Sequence, residues 1–211
     1  MNRLLALVVC VIAVVAGWMA YSRVSSASAD VSASLAPKIE GSKIYFVPIG
    51  SFPSEEIEPL VRYYHEKYKL EITIAKRIPV DPATSDDSRH QLIAEKLAAS
   101  LRNLSEYAND PNAVLIGFTS EDIYPMSQNW QFAFGWRLGS AGAAVVSTAR
   151  MSLHYDGEPS GIDLPERRLR KVVTKDIGIL YYGLSQSQNP RSVLYSQILG
   201  IEELDQVGDD F

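Results

Sequence analysis

The sequence predicts an α/β domain in which helices cover a buried sheet. Predicted strands and helices alternate between residues 43 and 119. The segment Ala113–Thr119 (AVLIGFT) is almost entirely apolar, which is typical of strands buried on both faces. A long amphipathic helix follows the last strand and ends in a glycine break at Gly183.

The N-terminus has the pattern of a targeting or membrane segment. A short basic start is followed by an apolar run, residues 4–20, that contains no charged side chain. Two interpretations stay open, a signal anchor formed by residues 4–21 or a signal peptide cleaved near Ala29. Both predict an extracytoplasmic domain, either membrane-anchored or secreted. We assign residues 1–21 to this leader, residues 22–40 to a flexible Ser/Ala-rich tether, and residues 41–211 to the folded domain.

Composition excludes several classes of function. A net charge of −5 and a pI near 5.3 argue against a nucleic-acid partner. The single cysteine, Cys10, lies in the apolar leader, so the domain can form neither disulfides nor cysteine-based zinc sites. The three histidines, His65, His90 and His154, fall on separate predicted elements, which argues against a three-histidine metal site.

The first half of the domain is predicted as strand, helix, strand, helix, strand. Residues 43–49 (KIYFVPI) form a β-branched and aromatic strand, and Ser54 is predicted to cap a helix that extends to Tyr68. A second strand covers residues 70–78, and a second helix covers residues 89–104. Ala113–Thr119 is the third strand.

Two further strands and the long helix complete the domain. Residues 131–137 (QFAFGWR) and 143–151 (AAVVSTARM) are predicted as a hairpin joined by a glycine-containing turn. The long helix begins with Pro165 in its first turn. Its apolar face repeats at three- and four-residue steps through Leu169, Val172, Val173, Ile177, Leu180 and Leu184.

Short motifs occur in a defined order from residue 47 to residue 205. They are 47–50 (VPIG), Arg89/Gln91/Ala94, 117–119 (GFT), 121–124 (EDIY), 132–135 (FAFG), 145–147 (VVS), 149–151 (ARM), the helix–glycine–SVLY segment and 203–205 (ELD). This order resembles the archaemetzincins, which belong to the metzincin zinc peptidases. The resemblance implies a three-layer zincin-like domain with a mixed five-stranded sheet, an active-site-type helix and a turn like the metzincin Met-turn.

The residues that bind zinc in that family are replaced in this chain. The resemblance aligns Lys175 with the first histidine of the family's motif, Asp176 with the glutamate and Ile179 with the second histidine. Ser185 or Gln186 falls near the third ligand, and Leu194 stands in place of the turn methionine. An ammonium and an alkyl group cannot coordinate zinc, so we expect that zinc is lost and that no catalytic residue is retained. The family's cysteine-rich C-terminal site is also absent from the sequence.

The favoured hypothesis is therefore a non-catalytic domain that binds a peptide or protein partner in the former substrate cleft. Lys175, Tyr182, Tyr195 and Trp136 are the candidate cleft residues. The strand that carries Trp136 is a candidate edge for strand addition by an extended peptide. Two alternatives stay open, a zinc peptidase with an unforeseen ligand set and a structural subunit of an envelope complex.

Charged side chains near the long helix have two possible roles each. Lys175 is expected to be solvated, with an electrostatic role in the cleft as the alternative. Asp176 is expected to form a salt bridge or to contact solvent, with a role as a shortened general base as the alternative. The basic run at residues 167–171 is expected to be a solvated helix face, with an acidic partner or anionic lipid as the alternative. No serine near the helix lies in a G-x-S-x-G context, which argues against a serine nucleophile.

Overall fold

Twelve α-helices and β-strands form the domain in the computed structural model, which describes residues 35–156, 158 and 163–211. In chain order they are β1 (Lys43–Pro48), α1 (Glu58–Tyr68), β2 (Ile72–Ile74), β3 (Ser85–Asp86), β4 (Gln91–Ile93), α2 (Ala94–Leu104), β5 (Ala113–Thr119), β6 (Ile123–Tyr124), β7 (Gly135–Leu138), β8 (Ala143–Ser147), α3 (Leu164–Leu180) and α4 (Ile201–Gln206). The predicted leader and most of the predicted tether lie outside the described residues. Among the described residues, no helix has the length and apolar character needed to cross a membrane.

The main sheet has five strands in the order β2-β1-β5-β8-β7. The first four run parallel, and β7 pairs antiparallel with β8 at one edge. This arrangement confirms the predicted mixed five-stranded sheet. A second, three-stranded sheet in the order β3-β4-β6 was not predicted. Its strands have only two or three residues each, too few for a detectable period in the sequence.

Helices cover both faces of the main sheet, so the domain has three layers. Ile44 and Phe46 of β1 point to one face and share a core with residues of α1 and α3. Tyr45 and Val47 point to the other face and share a core with residues of α2. This alternation follows from the two-residue period of a strand. It confirms the predicted α/β layering.

Several predicted boundaries were wrong. The second helix begins at Ala94 rather than at residue 89, because Gln91–Ile93 pairs with neighbouring strands as β4. Ser54 is not a helix cap, since it lies inside a short 3-10 turn, Ser54–Glu56, that precedes α1.

The predicted strands are also shorter in the structure. The strand predicted at residues 70–78 is reduced to β2, and the one predicted at 131–137 becomes β7, shifted toward the C-terminus. The strand predicted at 143–151 ends at Ser147. There the Ser147 hydroxyl donates to the Glu121 carbonyl at 2.7 Å, and the chain turns.

Residues that precede the predicted domain start at residue 41 belong to the same compact unit as the sheet and helices. This unit extends from Pro37 to Phe211. The main-chain N–H of Lys38 donates to the carbonyl of Tyr181 at 2.6 Å, which attaches this segment to the end of α3. Lys38 therefore packs against the end of α3.

Gly135 allows α3 to approach the edge strand β7. A Cβ atom at this position would lie 3.1 Å from Val172 Cγ1 and 3.8 Å from Asp176 Oδ2. A larger side chain would therefore force the strand and the helix apart. The glycine that ends the FAFG motif brings β7 and α3 into contact where the candidate site lies.

Candidate functional site

Helix α3 is the amphipathic helix that the sequence predicts. Pro165 lies in its first turn, and its apolar stripe is buried against the sheet through Val172, Val173 and Ile177. Gly183 adopts φ +70°, the left-handed conformation expected at a helix end. The Leu184 N–H donates back to the Gly178 carbonyl at 2.9 Å.

A tight bend lies against the C-terminal half of α3. The bend consists of residues 192–195 (SVLY), here called the SVLY bend, and the Tyr195 N–H closes it by donating to the Ser192 carbonyl at 2.9 Å. A Cβ atom on Gly178 would lie 3.0 Å from Leu194 Cδ2. Gly178 therefore lets the helix and the bend pack closely. The bend occupies the place relative to the helix that the metzincin resemblance implies.

Lys175 is buried between α3 and the SVLY bend. Only 6% of the residue is exposed, and its ammonium donates a hydrogen bond to the main-chain carbonyl of Tyr195. Burial lowers the Lys175 pKa to about 8, and the nearby Arg137 guanidinium contributes to this shift while Asp176 opposes it. The expectation of a solvated lysine was wrong, because this position faces the bend rather than the solvent.

Asp176 forms a buried salt bridge with the edge strand. Its side chain is fully buried, and Oδ1 accepts a hydrogen bond from Arg137 Nη1 at 2.6 Å. Oδ2 has no hydrogen-bond partner within the described residues. Burial raises the pKa of Asp176, and the Arg137 guanidinium opposes that effect. A carboxylate held in this way orients Arg137 and has no free access to solvent as a general base.

A cavity of about 310 Å³ opens beside these residues, here called the α3 cavity. Arg137, Lys175 and Ser196 supply its polar side, and the buried Ser196 hydroxyl has no partner within the described residues. The remainder of the lining is mostly apolar or main chain and consists of Asn129, Trp130, Gln131, Phe132, Ala133, Phe134, Gly135, Val172, Ile198 and Leu199. The cavity thus combines two cations with an aromatic and aliphatic wall.

Known proteins with a similar sequence and fold are archaemetzincins. The chain is 28% identical over 158 residues to the archaemetzincin of Pyrococcus furiosus, covering 72% of this chain and 79% of that protein. The crystal structure of the archaemetzincin of Archaeoglobus fulgidus, complexed with malonate, superposes with a TM-score of 0.62 at 25% identity. It covers 80% of this chain and 94% of its own. The chain is archaemetzincin-like.

A more distant structure shows the same fold. The zinc-dependent peptidase of Methanocorpusculum labreanum superposes with a TM-score of 0.64 at 21% identity, covering 80% of this chain and 95% of its own. No protein-family model matches the sequence.

The residues of this archaemetzincin-like site do not fit a zinc ion. Lys175 offers an ammonium, Ile179 an alkyl group, and the Asp176 carboxylate is already paired with Arg137. In residues 35–156, 158 and 163–211, no three His, Cys, Asp or Glu side chains are grouped so that they could hold a metal. His65 contacts Glu71, and His154 contacts Glu158, so these histidines have partners of their own. The loss of zinc stays a prediction.

Only part of the predicted cleft set comes together in the archaemetzincin-like domain. Lys175 lines the α3 cavity. The main-chain carbonyl of Tyr195 accepts a hydrogen bond from Lys175, but Tyr195 is not among the lining residues. Trp136 points to the opposite face of the sheet and packs with the α2 core, because it alternates with Gly135 and Arg137 along β7. It therefore does not line the cavity.

The other predicted positions lie around the end of α3. Tyr182 packs edge-on against Phe211, with ring centroids 5.5 Å apart, and burial raises its pKa to about 12. Leu194 packs against Gly178, whereas Ser185 is exposed on the loop that follows the helix. Neither Tyr182 nor Ser185 lines the α3 cavity.

The basic run at residues 167–171 is not the solvated face that we expected. Arg168 is fully buried and donates to both Asp205 oxygens at 2.9 and 2.6 Å. Lys171 is 2% exposed and donates to the carbonyls of Leu204 and Asp205. Both side chains attach α3 to the C-terminal helix α4. Only Arg167 and Arg170 lie nearer the surface, and each pairs with an acidic residue.

Sequence reasoning missed Arg137 and Ser196 as site residues. The two-residue period of β7 could have identified Arg137, since it shares a face with Gly135 and lies opposite Trp136. Ser196 follows the SVLY bend, and nothing in its local sequence distinguishes it from the neighbouring serines. Sequence reasoning also missed a polar cluster beside β4, in which Arg150 and Gln91 both bind Asp122.

Proposed function

We propose that this archaemetzincin-like domain is a non-catalytic relative of the zinc peptidases that binds a peptide or protein partner in the α3 cavity. The observation that carries the proposal is the hydrogen bond from Lys175 to the Tyr195 carbonyl. The side chain that the resemblance aligns with the family's first histidine thereby holds the SVLY bend with one of its N–H groups. A positive ammonium there also repels a divalent cation.

The edge of β7 supports peptide binding without cleavage. The Ser147 N–H donates to the Phe134 carbonyl, so Phe134 belongs to a hydrogen-bonded pair of the β7–β8 ladder. Because such pairs alternate in an antiparallel ladder, the main-chain groups of Gly135 and Arg137 point away from β8. An extended peptide can pair with these groups and place a side chain in the α3 cavity.

The absence of zinc chemistry is tested by metal content and proteolysis. We expect the full-length chain, purified in mild detergent, to contain far less than one zinc per molecule and to leave casein intact. The zinc-dependent peptidase of Methanocorpusculum labreanum, treated identically, is the positive control. One tightly bound zinc per chain, together with casein cleavage that a chelator abolishes, would contradict the non-catalytic proposal.

Peptide binding is tested by selecting random hexapeptides displayed on phage against the immobilised full-length chain. We expect the enriched peptides to bind the wild type and to bind the Leu199→Arg variant at least about tenfold more weakly. The substitution places a bulky cation at the cavity wall. Leu104→Arg is the matched control, since Leu104 is a similarly exposed leucine outside the cavity. No enrichment, or equal binding by both variants, would refute the proposed site.

We also propose that residues 1–21 direct the domain out of the cytoplasm. The support is the charge-free apolar run that precedes the Ser/Ala-rich segment. Intact-mass measurement of the mature protein from its native host tests this. Retention of the full N-terminus in the membrane fraction indicates an anchor, and cleavage near Ala29 indicates secretion. An uncleaved chain in the cytoplasmic fraction would contradict both.

A further inference from the structure

We propose that the α3 cavity recognises a carboxylate group, which binds between the Lys175 ammonium and the Arg137 guanidinium. This inference rests on the proposed peptide-binding function and specifies which peptides the cavity selects. The carboxylate can come from the C-terminus of a peptide or from an acidic side chain. Both sources present the same planar anion to the two cations.

The charge of the cavity favours a single anion. Arg137 and Lys175 are the charged residues that line it, although the whole chain carries a net charge of −5. Asp176, behind the lining, balances one of these cations through its salt bridge with Arg137. One positive charge is left, which a single carboxylate neutralises. A phosphate dianion would instead leave an excess negative charge in a partly buried site.

Unused hydrogen-bond donors point to the same ligand. The Lys175 ammonium has three N–H groups, and its hydrogen bond within the described residues goes to the Tyr195 carbonyl. Arg137 uses Nη1 for Asp176, and its other nitrogens donate no hydrogen bond to any of the described residues. The Ser196 hydroxyl is buried at the same cavity without a partner in the described part of the chain. A carboxylate, which only accepts hydrogen bonds, can satisfy all three groups.

The wall of the cavity indicates what accompanies the carboxylate. Phe132 and Phe134 form an apolar surface inside, and Trp130 and Leu199 stay 39% and 59% exposed at the rim. Large exposed apolar side chains that surround a pocket are typical of a binding site. The volume of about 310 Å³ is close to the lower end of ligand pockets, which suits one or two residues. The ligand is therefore an acidic group next to an apolar side chain.

Two matched pairs of short peptides test the inference with the full-length chain in detergent. The first pair is N-acetyl-Leu-Phe with a free C-terminal carboxylate and the same dipeptide as its amide. The second pair is N-acetyl-Asp-Phe-amide and N-acetyl-Asn-Phe-amide. We expect the carboxylate member of at least one pair to bind about tenfold or more tightly, as measured by calorimetric titration. The pair that shows the difference identifies the source of the carboxylate.

Variants connect this preference to the cavity. Lys175→Met should abolish the preference, and Ser196→Ala should reduce it while keeping the fold. Lys171→Met is the matched control, because Lys171 is a buried lysine one turn earlier on α3 that binds carbonyls of α4 outside the cavity. It should keep the preference, and circular dichroism checks that each variant is folded.

The inference and the proposed function can fail separately. Equal affinity within both pairs, an unchanged preference in folded Lys175→Met, or no binding by any of the four peptides would overturn carboxylate recognition. Enrichment of hexapeptides by the wild type, together with weaker binding of these peptides by Leu199→Arg, would still support peptide binding. Failure of that selection would overturn the proposed function itself.

Discussion

The ammonium of Lys175 hydrogen-bonds to the main-chain carbonyl of Tyr195, twenty residues later in the chain. This contact joins α3, where the resemblance places the metal-binding positions of the family, to the SVLY bend. The Asp176 salt bridge with Arg137 joins the same helix to the edge strand β7. The two adjacent side chains therefore connect α3 to the SVLY bend and to the edge strand β7.

Burial of Lys175 predicts a specific dependence of stability on pH. The unfolded chain keeps the lysine proton up to about pH 10.4, whereas in the folded chain the Lys175 pKa is about 8. Between these values the unfolded state binds more protons, so the free energy of unfolding rises with pH. The cost of burying the charge is fully present below pH 8 and is relieved as the proton is lost.

The comparison of wild type with Lys175→Met isolates this effect. Between pH 8 and pH 10, we expect the free energy of unfolding of the wild type to rise by roughly 2 kcal/mol relative to that of the variant. Urea unfolding measures this difference. The buried tyrosines with raised pKa values, such as Tyr64 and Tyr68, are common to both proteins and cancel. A pH-independent difference would show that Lys175 is not charged and buried in the way described.

The pair Arg137 and Asp176 predicts strong coupling in a double-mutant cycle. Arg137→Met leaves a fully buried carboxylate without its partner and should cost about 3 kcal/mol of unfolding free energy. Arg137→Met combined with Asp176→Leu should recover most of this loss, because both charges are then absent. Additive losses in urea unfolding would mean that the two side chains do not interact.

The neighbours Arg167 and Arg168 should differ in their contribution to stability, although each forms a paired contact with an aspartate. Arg168→Met leaves the buried Asp205 and the carbonyls of Met151 and Leu153 without a donor, and should cost about 3–5 kcal/mol. Arg167→Met removes an exposed pair with Asp209 and should cost less than about 1 kcal/mol. Thermal unfolding of both variants measures the contrast. Similar losses would contradict the buried position of Arg168.

Gly178 should resist substitution despite its place in a helix. Alanine normally stabilises a helix relative to glycine by about 1 kcal/mol. Here a Cβ atom would lie 2.6 Å from the Phe211 ring and 3.0 Å from Leu194, so Gly178→Ala should destabilise the domain by about 1–2 kcal/mol.

A second substitution checks the cause. In a Phe211→Ala background, Gly178→Ala should destabilise the domain much less, because the ring closest to the added Cβ atom is absent. Gly139→Ala is the control, since a Cβ atom there would lie farther than 4 Å from every other described residue apart from its chain neighbours. If Gly178→Ala is equally harmful in both backgrounds, the C-terminal ring is not the obstacle.

Local patterns predicted the elements with strong periodicity. Ala113–Thr119 has the same bounds in the sequence and in the structure, because a continuous apolar run allows one assignment. The failures occurred where pairing with distant strands overrode local preference. Gln91–Ile93 follows a helical pattern in sequence but pairs with β3 and β6 instead.

The sequence by itself determined the three-layer fold, the helix α3 with its glycine end, and the absence of histidine at positions 175 and 179. Each depends on residue type or on short-range periodicity. Only the tertiary structure decided which charged side chains are buried and with which partner. Lys175, Arg168 and Lys171 all lie on one helix, and their burial is set by the SVLY bend and by α4, which return to α3 from later in the chain. Periodicity identifies the apolar face of a helix, but it cannot identify what covers its polar positions.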